Sequence, residues 1–293
     1  MRKVWDLLKE TFRDWREDDA PELAAALSYY TIFSLGPLLL IAVSVAGMLF
    51  GTRAAQEEIF SQVRSVVGHD AAGLLQTMME SQSKGKAGMW ATIVGIVLLL
   101  VTASGVFGHL QKALNQIWEV APRPDLGLKQ TLKVRFLSMT MVLGTGFLLM
   151  VSLLLSALLS GFQQFLEARF PGGQAVEWCV SLVIITALFA AIFKVLPDVE
   201  IGWSDVWIGA LITGVLFNLG KLGITLYLAN SSLVSGFGAG GSLVLVLVWV
   251  YYSSLLLFFG AEFTQVYAKW HGSQIRPSAH AIRVVQERRP IAS

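Results

Sequence analysis

The chain has 293 residues, of which 55% are hydrophobic and 14% charged, with a mean hydropathy of +0.63 and a net charge of +2. Soluble domains carry roughly 25% charged residues, so this composition excludes an ordinary soluble protein and indicates a membrane protein. The small net charge does not favour nucleic acid binding. The single cysteine, Cys179, excludes an intramolecular disulfide and any site built from several thiolates.

Residues 1–19 predict an amphipathic helix at the membrane surface. Apolar and aromatic side chains recur there at roughly helical spacing, and basic side chains occupy the other faces. In the membrane interface the aromatic rings would lie at headgroup depth and the basic residues would meet anionic lipid. The alternative is a helix packed on a cytoplasmic loop.

Six long apolar stretches predict transmembrane helices, each long enough to cross roughly 30 Å of hydrocarbon at about 1.5 Å per residue. The connection 51–87 predicts two short amphipathic helices. We therefore expect an all-α polytopic membrane protein with six transmembrane helices plus amphipathic interfacial helices. Residues 1–270 would form one domain and residues 271–293 a flexible basic tail. The six spans cover residues 27–50, 88–110, 136–161, 176–196, 206–229 and 242–268.

The distribution of Lys and Arg predicts the orientation in the membrane. Fifteen of them lie in the N-terminal segment, the connection between spans two and three, and the C-terminal tail. Five lie in the connections on the opposite side. Because basic residues concentrate on the cytoplasmic side, both termini are expected in the cytoplasm.

Span five contains two polar residues, Asn218 and Lys221, on one helix face. A charge within the bilayer costs at least about 2.5 kcal/mol, so such a lysine normally faces protein, a ligand or water. Two interpretations stay open: a solute pathway that favours an anion, and a lysine buried for structural reasons. Four glycines of the same span, Gly209, Gly214, Gly220 and Gly223, predict close helix packing.

Span one begins with an unusually polar segment that includes Tyr29, Tyr30 and Ser34, and Pro37 follows one turn later. Proline removes a backbone donor and tends to kink a helix. These groups are expected to face protein or water. Together with Asn218 and Lys221 they predict a cavity bordered by spans one, five and six.

Glu262 of span six is separated in depth from Lys221, so a direct pair between the two is not expected. At its own depth Glu262 is expected to meet Lys194 in an ion pair near the cytoplasmic side, with His109 and Lys112 as alternative partners.

Catalysis finds little support in the sequence. The four histidines show no metal-ligand spacing, and the acidic residues outside the spans are scattered. We therefore expect no enzyme, no metal site, no cofactor and no nucleic acid partner.

Several segments together resemble the YihY/virulence factor BrkB family of bacterial inner-membrane proteins over about residues 15–270. The resemblance implies a six-helix protein of the bacterial cytoplasmic membrane, and it supplies no catalytic residues. Members were long labelled ribonuclease BN, an activity that the residues here do not support. The segments that carry the resemblance are Ala24 to Pro37, Ala113 to Trp118, Leu196 to Asp198, Leu216-Phe217 with Lys221 and Tyr227, and Gly260 to Phe263.

The leading functional expectation is a transporter of a solute, ion or lipid, with membrane lipid as a partner and an anionic solute or lipid headgroup as substrate. The alternative is a non-transporting protein that organises envelope components, and ribonuclease activity is a distant third. Substrate, energy coupling and oligomeric state do not follow from the sequence.

Overall fold

The computed structural model describes residues 2–51, 105–124, 173–230, 241–271 and 275–284, with nine further positions between residues 53 and 77. Helices dominate these ranges, and four short strands follow the ends of helices. The helices are α1 (Arg2–Glu17), α2 (Ala20–Phe50), α3 (residues 105–117), α4 (Gly173–Val195), α5 (Trp203–Asn230) and α6 (Gly241–Trp270). The strands are β1 (Val120–Pro122), β2 (Val199–Glu200), β3 (Arg276–Pro277) and β4 (Ala281–Arg283).

Helices α2, α4, α5 and α6 cover the predicted spans one, four, five and six. Among the described residues, Trp203–Lys221 and Val244–Trp270 are long and apolar enough to cross a membrane, and Ser181–Val195 is a shorter apolar helix. Span three and residues 88–104 of span two lie outside the described ranges. The mostly helical fold is thus confirmed, while the number of six spans stays a prediction.

Helix α6 holds the described helices together, because it packs against α1, α2 and α5, and α5 packs in turn against α4. Fully buried aromatic side chains from three different segments meet in the main core: Trp118 after α3, Phe193 of α4 and Phe258 of α6. Burying a large apolar side chain contributes about 1.5–3 kcal/mol relative to leaving it exposed. The core therefore ties together helices that are far apart in the chain.

The contact between α5 and α6 uses small residues in a reciprocal pattern. A Cβ added to Gly209 of α5 would overlap Thr264 of α6, and one added to Gly260 of α6 would overlap Thr213 of α5. Both hydroxyls bond to carbonyl oxygens of their own helices, at 2.6 Å for Thr264 and 2.7 Å for Thr213. Close approach of the two backbones is possible only because both glycines lack a side chain.

Two other glycines of α5 also lie at close contacts, as the sequence predicts. A Cβ on Gly214 would approach Thr186 of α4, and a Cβ on Gly220 would overlap the ring of Tyr252 of α6. Gly223 differs, since a Cβ there would meet no described atom within 4 Å. The packing prediction is therefore confirmed for three of the four glycines.

One end of the bundle, which we call the base, is formed by residues 14–20, 111–122, 194–203, 262–271 and 275–284. Two antiparallel ladders close it, β1 with β4 and β2 with β3. The sequence assigned residues 271–293 to a flexible tail, and the structure differs here: the segment 275–284 supplies both β3 and β4. Backbone pairing with segments after α3 and α4 holds this part of the tail on the bundle, and residues 285–293 lie outside the described ranges.

Helix α1 is amphipathic, as predicted, and its inner face packs on α6. Leu7 is buried against Phe263 and Val266. Apolar side chains on its other side are exposed, at 61% for Trp5 and 52% for Phe12. The inner face therefore packs on protein while the outer face remains available to a membrane.

Candidate functional site

The base contains a cavity of about 790 Å³ between the α1–α2 turn, α3 and the segment that precedes β2. Its volume lies within the roughly 300–1,000 Å³ of pockets that hold small molecules. Charged and amide side chains contribute much of its lining. They include Asp18, Gln111, Lys112, Asn115, Glu119 and Asp198.

Asn115 of α3 and Asp198 before β2 form a reciprocal pair on one wall of the cavity. The Asn115 side-chain amide donates to Asp198 Oδ2 at 2.8 Å, and the Asp198 backbone N–H donates to Asn115 Oδ1 at 2.8 Å. Gln111, one turn earlier on α3, donates to Asp198 Oδ1 at 3.2 Å. Both Asn115 and Asp198 are buried, so these bonds satisfy polar groups that would otherwise be costly. They fix α3 against the end of α4.

The folded part of the tail completes this network. The ring nitrogen Nε2 of His280 lies 2.9 Å from Asp198 Oδ1. The Ser278 backbone N–H donates to the Asp198 carbonyl oxygen, also at 2.9 Å. Asp198 thereby connects α3, the end of α4 and the tail.

Glu119 follows α3 in a left-handed backbone conformation, with φ of 55°. Its two carboxylate oxygens accept hydrogen bonds from Lys269 at 3.0 Å and from Arg283 at 3.3 Å. Burial acts to raise the pKa of Glu119, but the hydrogen bonds and positive charges of Lys269 and Arg283 outweigh it, so the pKa lies below its ordinary value. Glu119 is thus an ionised, paired carboxylate that links α6 to β4.

A different carboxyl pair lies nearby. Glu262 of α6 has no exposed surface, and neither of its carboxyl oxygens has a hydrogen-bond partner of standard geometry in the described part of the chain. The carboxyl of Asp18, in the α1–α2 turn, interacts with it. Burial raises the pKa of Asp18. The interaction with the Glu262 carboxyl acts in the opposite direction, and the negative charges of Glu119 and Asp14 raise the pKa further.

Asp18 is held in place by its backbone. Its N–H donates to the Asp14 carbonyl oxygen at 2.9 Å, and its own carbonyl oxygen accepts from the Gln116 side chain at 2.9 Å. In addition, the Gln265 side chain of α6 donates to the Ile117 carbonyl oxygen at 2.7 Å. These bonds connect the α1–α2 turn and α6 to the end of α3, beside the cavity.

Of the residues that the sequence predicts as a site, Asn218 is buried and hydrogen-bonded. Its amide donates to the Gly214 carbonyl oxygen at 2.9 Å, and Ser181 of α4 donates to its Oδ1 at 3.5 Å. Lys221 is partly exposed, one turn further along α5. Asn218 therefore contacts α4 in addition to its own helix.

Two of the predicted residues of span one, Tyr29 and Tyr30, lie nearer the base than Lys221 does. Tyr29 and Tyr30 are exposed, and their rings lie 4.9 Å from the rings of Phe33 and His109, respectively. Ser34 is buried. Pro37 lies within α2, and its side chain falls outside the described residues.

The height of each residue above the base follows from helix geometry. Tyr29 comes nine residues after the start of α2 at Ala20, or ~13 Å, whereas Lys221 comes eighteen residues after the start of α5 at Trp203, or ~27 Å. By the same geometry, Ser34 and Pro37 lie at about the heights of Asn218 and Lys221, so Tyr29 and Tyr30 are the predicted site residues that lie clearly nearer the base.

The structure gives Glu262 and Lys194 separate neighbours instead of the expected ion pair. The Lys194 ammonium donates to the Ile201 carbonyl oxygen and lies 5.6 Å from the centre of the Trp203 ring, while Glu262 lies beside Asp18. Lys194 is at the end of α4, where a nearby carbonyl oxygen can satisfy its ammonium group without a carboxylate. No three His, Cys, Asp or Glu side chains converge as metal ligands would within the described ranges.

Sequence reasoning missed most of the base site. Asn115 and Asp198 lie in segments that carry the family resemblance, and this was the available signal. Their pairing across 83 residues of chain is visible only in the fold. Nothing in the sequence marked Asp18 or His280 as site residues. Asp18 lies just before a predicted helix, and His280 lies in the predicted flexible tail.

Comparison with known proteins identifies relatives of the chain. The family model described as virulence factor BrkB matches residues 11–283. A UPF0761 membrane protein of Pseudomonas paraeruginosa is 28% identical over 250 residues, which cover 83% of this chain and 58% of that protein. Another, of Methylibium petroleiphilum, is 30% identical over 87% of this chain and 61% of its own length. A third, of Alteromonas mediterranea, is 27% identical over 88% and 86%, respectively.

The chain spans about three fifths of the length of the first two of these relatives. No solved structure matches it. The family match covers most of the chain, including the segments that build the base cavity. The chain is therefore an integral membrane protein that belongs to the virulence factor BrkB family.

Proposed function

We propose that the protein is a transporter that takes up a small polar solute through the base cavity. The observation that carries the proposal is the cavity itself, about 790 Å³ and lined by charged and amide side chains, at the end of apolar helices long enough to span a membrane. Asn115 and Asp198 are buried in its wall, and the other polar side chains of the lining are partly or fully exposed, so the space can hold water or a polar ligand.

The cavity suits a small solute better than a macromolecule. Its walls come from α3, the α1–α2 turn and the end of α4, and the Asn115–Asp198 pair keeps two of them at a fixed separation. A fixed wall with amide and carboxyl groups can orient hydroxyl, amine or phosphate groups by hydrogen bonds.

Passage beyond the cavity would lead along α5, where Asn218 and Lys221 are polar residues within an apolar helix. A lysine at that depth favours a negatively charged group, so we propose an anionic substrate. The chemistry shared by the candidates is a phosphate ester, which occurs both in free solutes and in lipid headgroups. We further propose that the protein lies in the bacterial inner membrane with the base in the cytoplasm, in accord with the distribution of basic residues.

The test uses a cavity-filling variant with a matched control. Gly108 lines the cavity and has no described atom within 4 Å of where a Cβ would be, so Gly108→Trp adds a large side chain at the cavity wall. Gly105, one turn earlier on α3, is equally open but does not line the cavity, and Gly105→Trp is the control.

Proteoliposomes would be assayed in two arms, uptake of radiolabelled glycerol 3-phosphate and transbilayer movement of fluorescent phosphatidylglycerol. We expect activity above protein-free vesicles in one arm, which identifies the source of the phosphate ester. Gly108→Trp should reduce that activity at least tenfold, whereas Gly105→Trp should retain it. Absence of activity in both arms, or equal loss in both variants, would contradict the proposal.

A second pair of variants tests the anion site. Lys221→Met should reduce the observed activity at least tenfold while the protein remains folded, and Lys9→Met, on the exposed side of α1, should not. Activity of the Lys221 variant equal to that of the wild type would exclude Lys221 from the pathway.

The alternative function, organising envelope components without transport, is favoured by one observation. The outer face of α1 exposes Val4, Trp5 and Phe12, which could contact a partner or lipid. This alternative predicts no flux in either arm. Neither function involves catalysis on RNA, so purified protein should leave tRNA intact in the presence of divalent metal ions.

A further inference from the structure

Glu262 is a carboxyl group buried without compensation. It lies in α6, in the part of that helix that is apolar enough to span a membrane, and none of its surface is exposed. Neither oxygen accepts a hydrogen bond of standard geometry from the described residues. An ionised carboxylate in such a place costs several kcal/mol, because burial removes its hydration without replacement.

The charged groups that act on Glu262 come from three places and do not neutralise it. Asp18 in the α1–α2 turn and Asp14 of α1 are both acidic. Lys269 of α6 is basic, but its ammonium group already bonds Glu119 at 3.0 Å. The one basic group among these three is therefore already paired with another carboxylate.

Asp18 connects this buried group to solvent. Its carboxyl interacts with Glu262 on one side, and Asp18 lines the base cavity on the other. Two neighbouring carboxyls that are both partly or fully buried do not both ionise readily, so the negative charge on one of them favours a proton on the other. Glu119 shows the contrast within the same base, since Lys269 and Arg283 keep it ionised.

We propose that Glu262 and Asp18 form a proton-binding site in which Glu262 is a neutral acid at neutral pH and exchanges its proton with the base cavity through Asp18. On release, the O–H bond of Glu262 breaks and a carboxylate oxygen of Asp18 receives the proton. Asp18 then passes the proton to water in the cavity. Uptake follows the reverse order, and no other reactant is needed.

A protonatable group beside a solute cavity supplies a coupling ion for transport. In this respect only, the inference rests on the proposed function. Proton binding can be measured in protein reconstituted in lipid without any solute, so failure of the transport proposal and failure of the proton site are distinguishable.

Infrared spectroscopy of the reconstituted protein tests the protonation state of Glu262. At neutral pH we expect the carbonyl stretch of a protonated carboxylic acid, and Glu262→Gln should remove it. Glu200→Gln, which changes an exposed carboxyl in β2 of the same base, should leave it unchanged. A wild-type spectrum without the band, or a band that persists in Glu262→Gln, would overturn the assignment.

Exchange into D₂O, followed by the isotopic shift of the same band, tests the route. Asp18→Asn should slow the exchange at least tenfold while the band remains, because the carboxyl that passes the proton is gone. Glu17→Gln is the matched control, since Glu17 precedes Asp18 and also lines the cavity. Exchange in Asp18→Asn as fast as in the wild type would show that the proton does not pass through Asp18.

Discussion

Two regions stabilise the fold in different ways. One is the contact between helices α5 and α6, and the other is the base of the bundle. In the contact, Gly209 and Gly260 allow the helices to approach closely, and the threonine hydroxyls bond within their own helices. In the base, Asn115, Asp198 and Glu119 join segments that are far apart in the chain. The hydrophobic effect does not drive helices together in apolar lipid, so close packing stabilises the contact between α5 and α6. The base is stabilised by polar groups that also surround a cavity. The contact is therefore structural, and the base combines structure with a site.

The largest effect is expected at the contact. Gly209→Leu places a side chain against Thr264 and its backbone, so α5 and α6 must separate, and we expect a loss of about 3 kcal/mol or more. Thermal unfolding in detergent, followed by size-exclusion chromatography, measures it. Gly223→Leu in the same helix meets none of the atoms that the structure describes and should unfold like the wild type. Similar behaviour of the two variants would contradict the close approach.

An intermediate effect is expected in the base. Asn115→Leu leaves the backbone N–H and one carboxyl oxygen of Asp198 without their partner, and we expect a loss of about 2–3 kcal/mol. Proteolysis should then cleave the tail near residues 275–284 sooner, since the same aspartate holds His280 and Ser278. Gln111→Leu removes one longer bond and should cost less. Equal costs would show that the reciprocal pair has no special role.

The smallest effect is expected at Glu119. Its ion pairs with Lys269 and Arg283 are partly exposed, so Glu119→Gln should cost about 0.5–1 kcal/mol near neutral pH. The pKa of Glu119 in the folded protein lies below the unfolded value of about 4.3. The ionised carboxylate therefore adds to the free energy of unfolding in full when the pH is above that unfolded value. This contribution is lost as the pH falls through the folded pKa. Melting temperatures of variant and wild type should therefore converge in acid, and a constant difference would contradict this account.

Much of the helical architecture could be predicted from the sequence because the signals are local. Apolar stretches predicted the helices that became α2, α4, α5 and α6, and the glycine positions of α5 predicted close packing. The site was harder to predict from the sequence than the helices. Lys221 was conspicuous because a lysine in an apolar helix is rare, but Tyr29 and Tyr30 lie at another depth and contact other residues.

By itself, the sequence determined that this is a membrane protein built of long apolar helices, because hydropathy and helix length are properties of neighbouring residues. Only the tertiary structure decided that Asp198 meets Asn115 and His280, that the tail folds into two strand ladders, and that Glu262 lies beside Asp18 and not beside Lys194. The hydrogen bonds of Asp198 to Asn115 and His280 span 83 and 82 positions of the chain, and a partner at that separation is chosen by how the helices pack. Local periodicity carries no information about that choice.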